Sequence, residues 1–180
     1  MWSALIPLAA TDGGKALRVV PCGSERAEDV HRLTQEAFKA YAHLDPPSGA
    51  VRESVARVRD DLALGGGALA QVDGRPVGCL RWQLAADGDF HVRRVAIEPE
   101  RQRQGIGRAL MAWAEREAVR RGCGTVFVGV RIALPGNVAF YRSLGYAVTG
   151  EHSHDGYERT TWLAMRKHLG LRAAGADRCG

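Results

Sequence analysis

FHVRRVAIEPERQRQGIG, residues 90–107, is the stretch whose reading decides the fold. Up to Glu98 it is β-rich, and His91, Arg93, Val95 and Ile97 recur at a spacing of two, which predicts one face of a strand. Pro99 has no N–H for a ladder and should end that strand. Beyond it Ile106, Leu110, Trp113 and Ala114 fall on one face of a helix, predicted to run from Gly105 to Arg121. Between strand and helix lies Gln102-Arg103-Gln104-Gly105-Ile106-Gly107. Gly105 and Gly107 carry no Cβ, so a ligand can come close to the main chain. The N–H groups of a first helical turn have no intrahelical partner. Those amides, the helix dipole and Arg101, Arg103 and Arg108 together predict a site for a diphosphate.

Two familiar diphosphate sites do not fit. A dinucleotide fingerprint needs a third glycine where Leu110 stands, and a Walker loop needs Lys-Ser/Thr where Arg108-Ala109 follow Gly107. The order strand, turn, helix, strand and a later Asn137…Tyr141 pair points elsewhere. With these residues in view the chain resembles the GCN5-related N-acetyltransferase (GNAT) superfamily. Gln102-Arg103-Gln104-Gly105-Ile106-Gly107 fits its Gln/Arg-x-x-Gly-x-Gly/Ala acyl-CoA motif. The resemblance covers residues 17–168 and is clearest over 90–146. It implies an α/β fold with a mixed central sheet of about seven strands and flanking helices. It also implies acetyl-CoA as co-substrate, with no metal.

Composition agrees with one soluble domain. A length of 180 residues, 46% hydrophobic and 25% charged, is enough for a single core. The net charge of +5 suits an anionic co-substrate, but the arginines are scattered and form no basic stripe of the kind nucleic acid needs. Cys22, Cys79, Cys123 and Cys179 have no paired spacing and are expected as reduced thiols of a cytoplasmic protein. No apolar run approaches the ~18 residues of a membrane span. The opening MWSALIPLAA lacks a positive region and an Ala-x-Ala site, so no signal peptide is expected.

In chain order, residues 1–16 read as a flexible lead-in, 17–168 as the acetyltransferase domain, and 169–180 as a basic tail. Leu17 to Val20 is a strand stopped by Pro21; a helix then runs to Ala42, with Val30, Leu33, Ala37 and Tyr41 at helical spacing. A second helix carries Val51, Val55, Val58 and Leu62 and is stopped by Gly65-Gly66-Gly67. Ala68 to Val72 and Arg75 to Leu84 form a hairpin about Asp73-Gly74, and Asp87-Gly88 turns into the central strand. After the long helix, Gly122 suits a C′ position, and Thr125 to Val130 reads as a strand buried on both faces. Asn137 to Leu144 is a short helix with Phe140 and Leu144 toward the core. Tyr146 to Thr149 and Thr160 to Met165 form the last hairpin, around a loop of residues 151–156.

Acetyl transfer from a thioester to an amine needs the co-substrate held, the amine deprotonated, the charge on the acetyl oxygen stabilised and the leaving thiolate protonated. The turn Gln102, Arg103, Gln104, Gly105, Ile106, Gly107 and Arg108 serves the first need. The resemblance implies that the main chain of Val95, Ala96 and Ile97 pairs with the pantetheine arm, with the Val95 N–H toward the acetyl oxygen. It further implies that Asn137 bonds the pantetheine arm and that Tyr141, one helical turn on, sits by the sulfur as general acid. Asn137 also reads as a plain N-cap. His91 is the candidate base, since an imidazole titrates near neutrality. Glu151 and water are the alternatives, and Glu98 reads as part of the turn. His152 and His154 are two ligands without a partner cluster and read as a solvated loop.

The expectation is therefore an N-acetyltransferase acting on a primary amine of a small molecule or peptide. The alternative is a CoA-binding regulatory domain without catalysis. The expected partners are acetyl-CoA and an amine acceptor, with neither nucleic acid nor membrane, and with a homodimer left open. The acceptor would be shaped by residues 41–52 and 151–157.

Overall fold

In a computed structural model, the structure describes residues 16–170. The expected lead-in and tail lie almost wholly outside them. The elements are β1 (Leu17–Cys22), α1 (Ala27–Lys39), α2 (Val55–Leu64), β2 (Gly66–Val72), β3 (Arg75–Leu84), β4 (Phe90–Ile97), α3 (Ile106–Arg120), β5 (Thr125–Arg131), α4 (Pro135–Ser143), β6 (Ala147–His152) and β7 (Trp162–His168). The strands form a seven-stranded sheet in the order β1-β2-β3-β4-β5-β7-β6, in keeping with the α/β fold of about seven strands that the resemblance implies. Two compact units make up the described residues, one running to Gln83 and including Val92–Ala114, the other combining Leu84–His91 with the described residues from Glu115 onward. No helix among the described residues is long and apolar enough to cross a membrane.

In the first unit, β1, β2 and β3 form an antiparallel meander, with Leu17 opposite Val72 and Leu69 opposite Cys79. The inner faces of α1 and α2 close over it. Val30, Leu33 and Ala37 of α1 and Val58 and Leu62 of α2 pack with Leu69, Cys79 and Ala96. Each large side chain buried there contributes ~1.5–3 kcal/mol. Ser54 caps α2, its Oγ accepting the Arg57 N–H at 3.2 Å.

Several sequence expectations need correcting here. Proline does not stop β1: the strand continues through Pro21 to Cys22, because it is an edge strand with no ladder to lose on its outer side. Helix α1 ends at Lys39, so Tyr41 lies beyond it. Val51 belongs to a separate 3₁₀ turn, Gly49–Arg52. Of the glycine run only Gly65 ends α2, whereas Gly66 and Gly67 open β2. A Cβ on Gly67 would lie 2.8 Å from Leu62 Cδ2, 2.9 Å from Cys22 Sγ and 2.9 Å from the Leu80 carbonyl, so these glycines are there for packing.

In the second unit β7 lies between β5 and β6 and is antiparallel to both. Helix α3 closes as predicted. Gly122 has φ +80°, the Cys123 N–H donates to the Ala118 carbonyl at 2.9 Å, and the Gly122 N–H donates to Val119 at 3.0 Å. Strand β5 is not buried on both faces: Val126, Val128 and Val130 are buried, but Phe127 is half-buried and Gly129 exposed. Helix α4 has no buried residue, so Phe140 and Leu144 are only partly covered, and Tyr146 just beyond it is the buried anchor.

Candidate active site

The turn after β4 is built from both of its ends. Glu98 is buried, and its Oε1 accepts from Arg75 Nη2 at 2.8 Å and from Arg32 Nη1 at 3.1 Å. Its main chain donates to the Val77 carbonyl at 2.9 Å and accepts from the Arg101 N–H at 2.9 Å. Glu98 is therefore a structural part of the turn, as its place before Pro99 suggested. Gln102 reaches back to the Ile97 carbonyl at 3.5 Å and Gln104 to the Glu100 carbonyl at 3.1 Å, so both glutamines brace the loop. Arg103 has φ +62° and Gly105 φ +80°, and these two left-handed residues swing the chain into α3. The first α3 bond runs from the Ala109 N–H to the Gly105 carbonyl at 3.0 Å, which leaves the amides of Ile106, Gly107 and Arg108 outside the helical ladder. Residues 102–105 and 108 are exposed, and a Cβ at Gly105 would meet no heavy atom within 4 Å. Among the described residues, Arg101, Arg103 and Arg108 enter no ion pair. Amides left out of the helical ladder, an exposed Gly105 and guanidinium groups without an ion pair among the described residues are what an anion site requires.

Strand β4 does not keep the predicted alternation. Arg94 has φ +53°, and the consecutive residues Arg93 and Arg94 both lie among the charges of Glu53 and Arg81, which makes this stretch a bulge. Arg93 donates to Gln83 Oε1 at 3.3 Å, and Arg94 donates to Glu53 from Nε at 3.0 Å and from Nη2 at 2.8 Å. Beyond this bulge the parity is reversed. Ala96 packs in the α1–α2 core, and Ile97 lies toward Ile106, both atoms standing within 3.4 Å of a Cβ built on Gly78. Val95 and Ile97 thus share a face that Arg93 does not. A left-handed non-glycine residue gives no sequence signal, which is why the bulge escaped a period-two reading.

Glu53 was also missed. It lies just before α2 and meets Arg81 of β3 as well as Arg94 of β4, while Asp61 takes the other arm of Arg81 at 2.7 Å. Burial alone would raise the Glu53 carboxyl, but the hydrogen bonds and charges of Arg94 and Arg81 together outweigh it and hold the group below the usual carboxylate range.

In the second unit His91 stacks on Phe127 with ring centroids 4.2 Å apart, and its Nε2 stands 4.0 Å from Asp87 Oδ1. Asp87, Asp89 and His91 offer ligand atoms within 4.8 Å of one another. Arg166 already pairs with this cluster, its Nε on Asp89 at 2.8 Å and its Nη2 4.0 Å from Asp87. Asn137 is the third residue of α4 and exposed; Leu134 occupies the N-cap position, so Asn137 is not the cap. Tyr141 follows four residues later, its ring edge-on to Phe140 at 5.1 Å and to Tyr146 at 5.7 Å. Desolvation pushes its phenol well above the ordinary value, so it stays protonated at neutral pH. His152 is not a loop residue but ends β6 and stacks on Trp162 at 4.3 Å, while His154 shares a 2.6 Å hydrogen bond with Thr161. The two histidines are thus separately engaged. Glu151 is exposed on β6, where Thr160 donates to it at 3.4 Å.

Comparison with known proteins bears on this arrangement. The [Ribosomal protein bS18]-alanine N-acetyltransferase of Escherichia coli K12 is 40% identical over 52 residues, 29% of this chain and 35% of that one. The matched stretch spans about a third of the length of the first curated relatives, 30% of one and 35% of the other. The crystal structure of the ribosomal-protein-S18-alanine N-acetyltransferase from Escherichia coli superposes with a TM-score of 0.70 at 20% identity, covering 89% of this chain and 97% of that one. The PaiA N-acetyltransferase of Thermoplasma acidophilum, solved in complex with coenzyme A, gives 0.70 at 18% identity over 85% and 99%. The model of the Acetyltransferase (GNAT) family matches residues 27–146, a span that holds β4, the glycine turn, α3, β5 and α4. The chain belongs to the Acetyltransferase (GNAT) family.

Proposed function

We propose that the protein transfers the acetyl group of acetyl-CoA to a primary amine. The observation that carries this reading is the turn of Gln102–Arg108, whose amides outside the helical ladder and arginines without an ion pair among the described residues lie inside the matched family span. The residues fit a CoA diphosphate: Gly105 leaves the approach clear, and the Ile106, Gly107 and Arg108 amides are not used by α3. The relative solved with coenzyme A supports the same ligand.

Acetyl-CoA supplies an activated acyl thioester. In this reading the 102–108 turn grips the diphosphate, while the main chain of Val95, Ala96 and Ile97 orients the pantetheine arm together with Asn137. The Val95 N–H stabilises the negative charge that develops on the acetyl oxygen. His91 accepts the proton lost by the attacking amine, so the acidic limb of kcat/KM should report it. Tyr141, kept protonated by desolvation of its hydroxyl, gives its proton to the departing thiolate as the C–S bond breaks. Free thiols at Cys22, Cys79 and Cys123 suit a cytoplasmic location.

The named Escherichia coli relative acts on an alanine of a ribosomal protein, which puts a peptide N-terminal amine among the acceptors to test. The test is thiol release from acetyl-CoA across amines, amino acids, antibiotics and peptides with free N-termini. Thiol release that requires one acceptor class supports the reading. Tight CoA binding with no acceptor-dependent release in any class would turn it to a regulatory one.

A further inference from the structure

Arg94 is the one described residue of β4 in the left-handed region, at φ +53°. An arginine is there against its own preference, and such residues persist only where their surroundings over-determine them. What surrounds this one is specific. Its Nε and Nη2 both donate to Oε1 of Glu53, at 3.0 and 2.8 Å. The guanidinium also stands 6.0 Å from the centroid of the Phe38 ring, and its Nη2 lies 3.4 Å from where a Cβ on Gly49 would stand.

Glu53 is itself immobilised. Its side chain is 11% exposed, its second oxygen bonds the buried Arg81, and its carbonyl accepts from His31 Nε2 at 2.9 Å. The 3₁₀ turn before it is pinned by Gln35, which donates to the Ala50 carbonyl at 2.7 Å, and by the Ser48 hydroxyl on the Ala50 N–H. A single carboxylate therefore ties the segment before α2 to β3 and to the bulge of β4.

The bulge sets the direction of the next peptide, the one carrying the Val95 N–H. We propose that Glu53 is a positioning residue for acetyl transfer: by clamping Arg94 it holds the β4 bulge and so aims the Val95 N–H at the acetyl oxygen. The proposal rests on the acetyltransferase reading above. Its rival is that Glu53 serves only to neutralise the buried Arg81.

The two differ at position 94. Glycine takes φ +53° without cost and needs no clamp, whereas a β-branched valine resists it. The experiment follows backbone amide resonances of ¹⁵N-labelled full-length protein with coenzyme A and with acetyl-CoA. In the parent, both ligands should move the Gly105 and Gly107 amides, and acetyl-CoA alone should move Val95 further. Glu53→Gln should lose the acetyl-specific Val95 shift while keeping the glycine shifts, and Arg94→Gly introduced into that variant should restore it. Because Glu53→Gln can also disturb Arg81, Arg94→Val and Arg94→Gly are compared with Glu53 intact. Valine should lose the shift and glycine should keep it. An acetyl-specific Val95 shift that is absent from the parent, unchanged in Glu53→Gln and Arg94→Val, or unrestored by glycine would overturn the proposal. Glycine amides that ignore both ligands in the parent would instead overturn the cofactor assignment itself.

Discussion

Tyr146 donates its phenolic hydrogen to Oε1 of Glu115 at 3.2 Å, while Lys167 holds the other oxygen of that carboxylate at 2.7 Å. The bond joins the buried end of the α4 segment to α3, and the Tyr141 ring rests edge-on against Tyr146. Tyr146→Phe keeps the ring and removes only the hydroxyl. It should cost about 1–2 kcal/mol of stability, the worth of a partly shielded hydrogen bond to a charged group. Activity should stay close to that of the parent, because the support for Tyr141 is a ring contact. Urea denaturation alongside an acetyl-transfer assay checks both halves.

Gly67 faces Leu62, Cys22 and the Leu80 carbonyl at distances where a Cβ has no room. The carbonyl is main chain and cannot swing aside, so the strand itself must shift. Gly67→Ala should therefore destabilise by about 1–3 kcal/mol through overpacking, against the usual gain from replacing glycine in a strand. A thermal melt no lower than that of the parent would mean that β2 relaxes freely there.

Glu53 makes stability depend on pH with a definite sign. Its folded carboxyl is held below the ordinary glutamate value of about 4.3, so its contribution is full above that value and disappears as pH falls through the folded one. The charged groups around it are Arg94 and Arg81, with Asp61 on the far arm of Arg81. Glu53→Gln should be less stable than the parent at neutral pH, and the gap should close in strong acid. Urea midpoints measured from neutral pH down to about pH 3 would show the two curves converging. A gap that is constant over that range would assign the loss to packing.

How far the sequence could be read follows the physics of each feature. Periodicity and turn chemistry located the strands and α-helices of the described chain, though not the 3₁₀ turn at Gly49–Arg52, since Val30, Leu33 and Ala37 or Asp73-Gly74 state their structure locally. The glycine turn was legible for the same reason. The β4 bulge was not, because Arg94 is held left-handed by Glu53, 41 residues away in the chain. Nor was the role of Gly66 and Gly67, which depends on the Trp82 ring and Leu62 filling the space above them. The exposure of α4 went unseen because Phe140 and Leu144 look like core residues on a helix that buries none.

At the proposed cofactor turn, backbone conformation and space make separable predictions. Gly105 has φ +80° with open space where a Cβ would stand. Gly105→Ala should therefore cost about 1 kcal/mol from conformation alone, with Gly105→Asn milder and Gly105→Val worse. Gly107 lies in the first turn of α3, where the proposed phosphate contact needs a bare main chain. Gly107→Glu should weaken coenzyme A binding at least ~10-fold, about 1.4 kcal/mol, in a protein that still folds. Calorimetry giving parental affinity in folded Gly107→Glu would remove the diphosphate from this turn.

Tyr141→Phe isolates the chemical step. The substitution removes one hydroxyl and leaves the ring against Phe140 and Tyr146, so coenzyme A should bind as before. With Tyr141 as the proposed acid, the departing thiolate must then take its proton from water. A positioned general acid is worth ~10²–10⁴-fold, so kcat should fall within that range with little change in KM for acetyl-CoA. The loss should shrink with an acyl donor whose thiol is more acidic, because a better leaving group needs less protonation. Desolvation raises the Tyr141 phenol above its ordinary value of ~10, so it remains a competent acid across neutral pH, and a basic limb near neutrality cannot be its ionisation. That limb should survive in Tyr141→Phe. Tyr146→Phe, one ring away, is the control that separates proton donation from packing. Single-turnover transfer by Tyr141→Phe at the parental rate would leave Tyr141 only a packing role on α4.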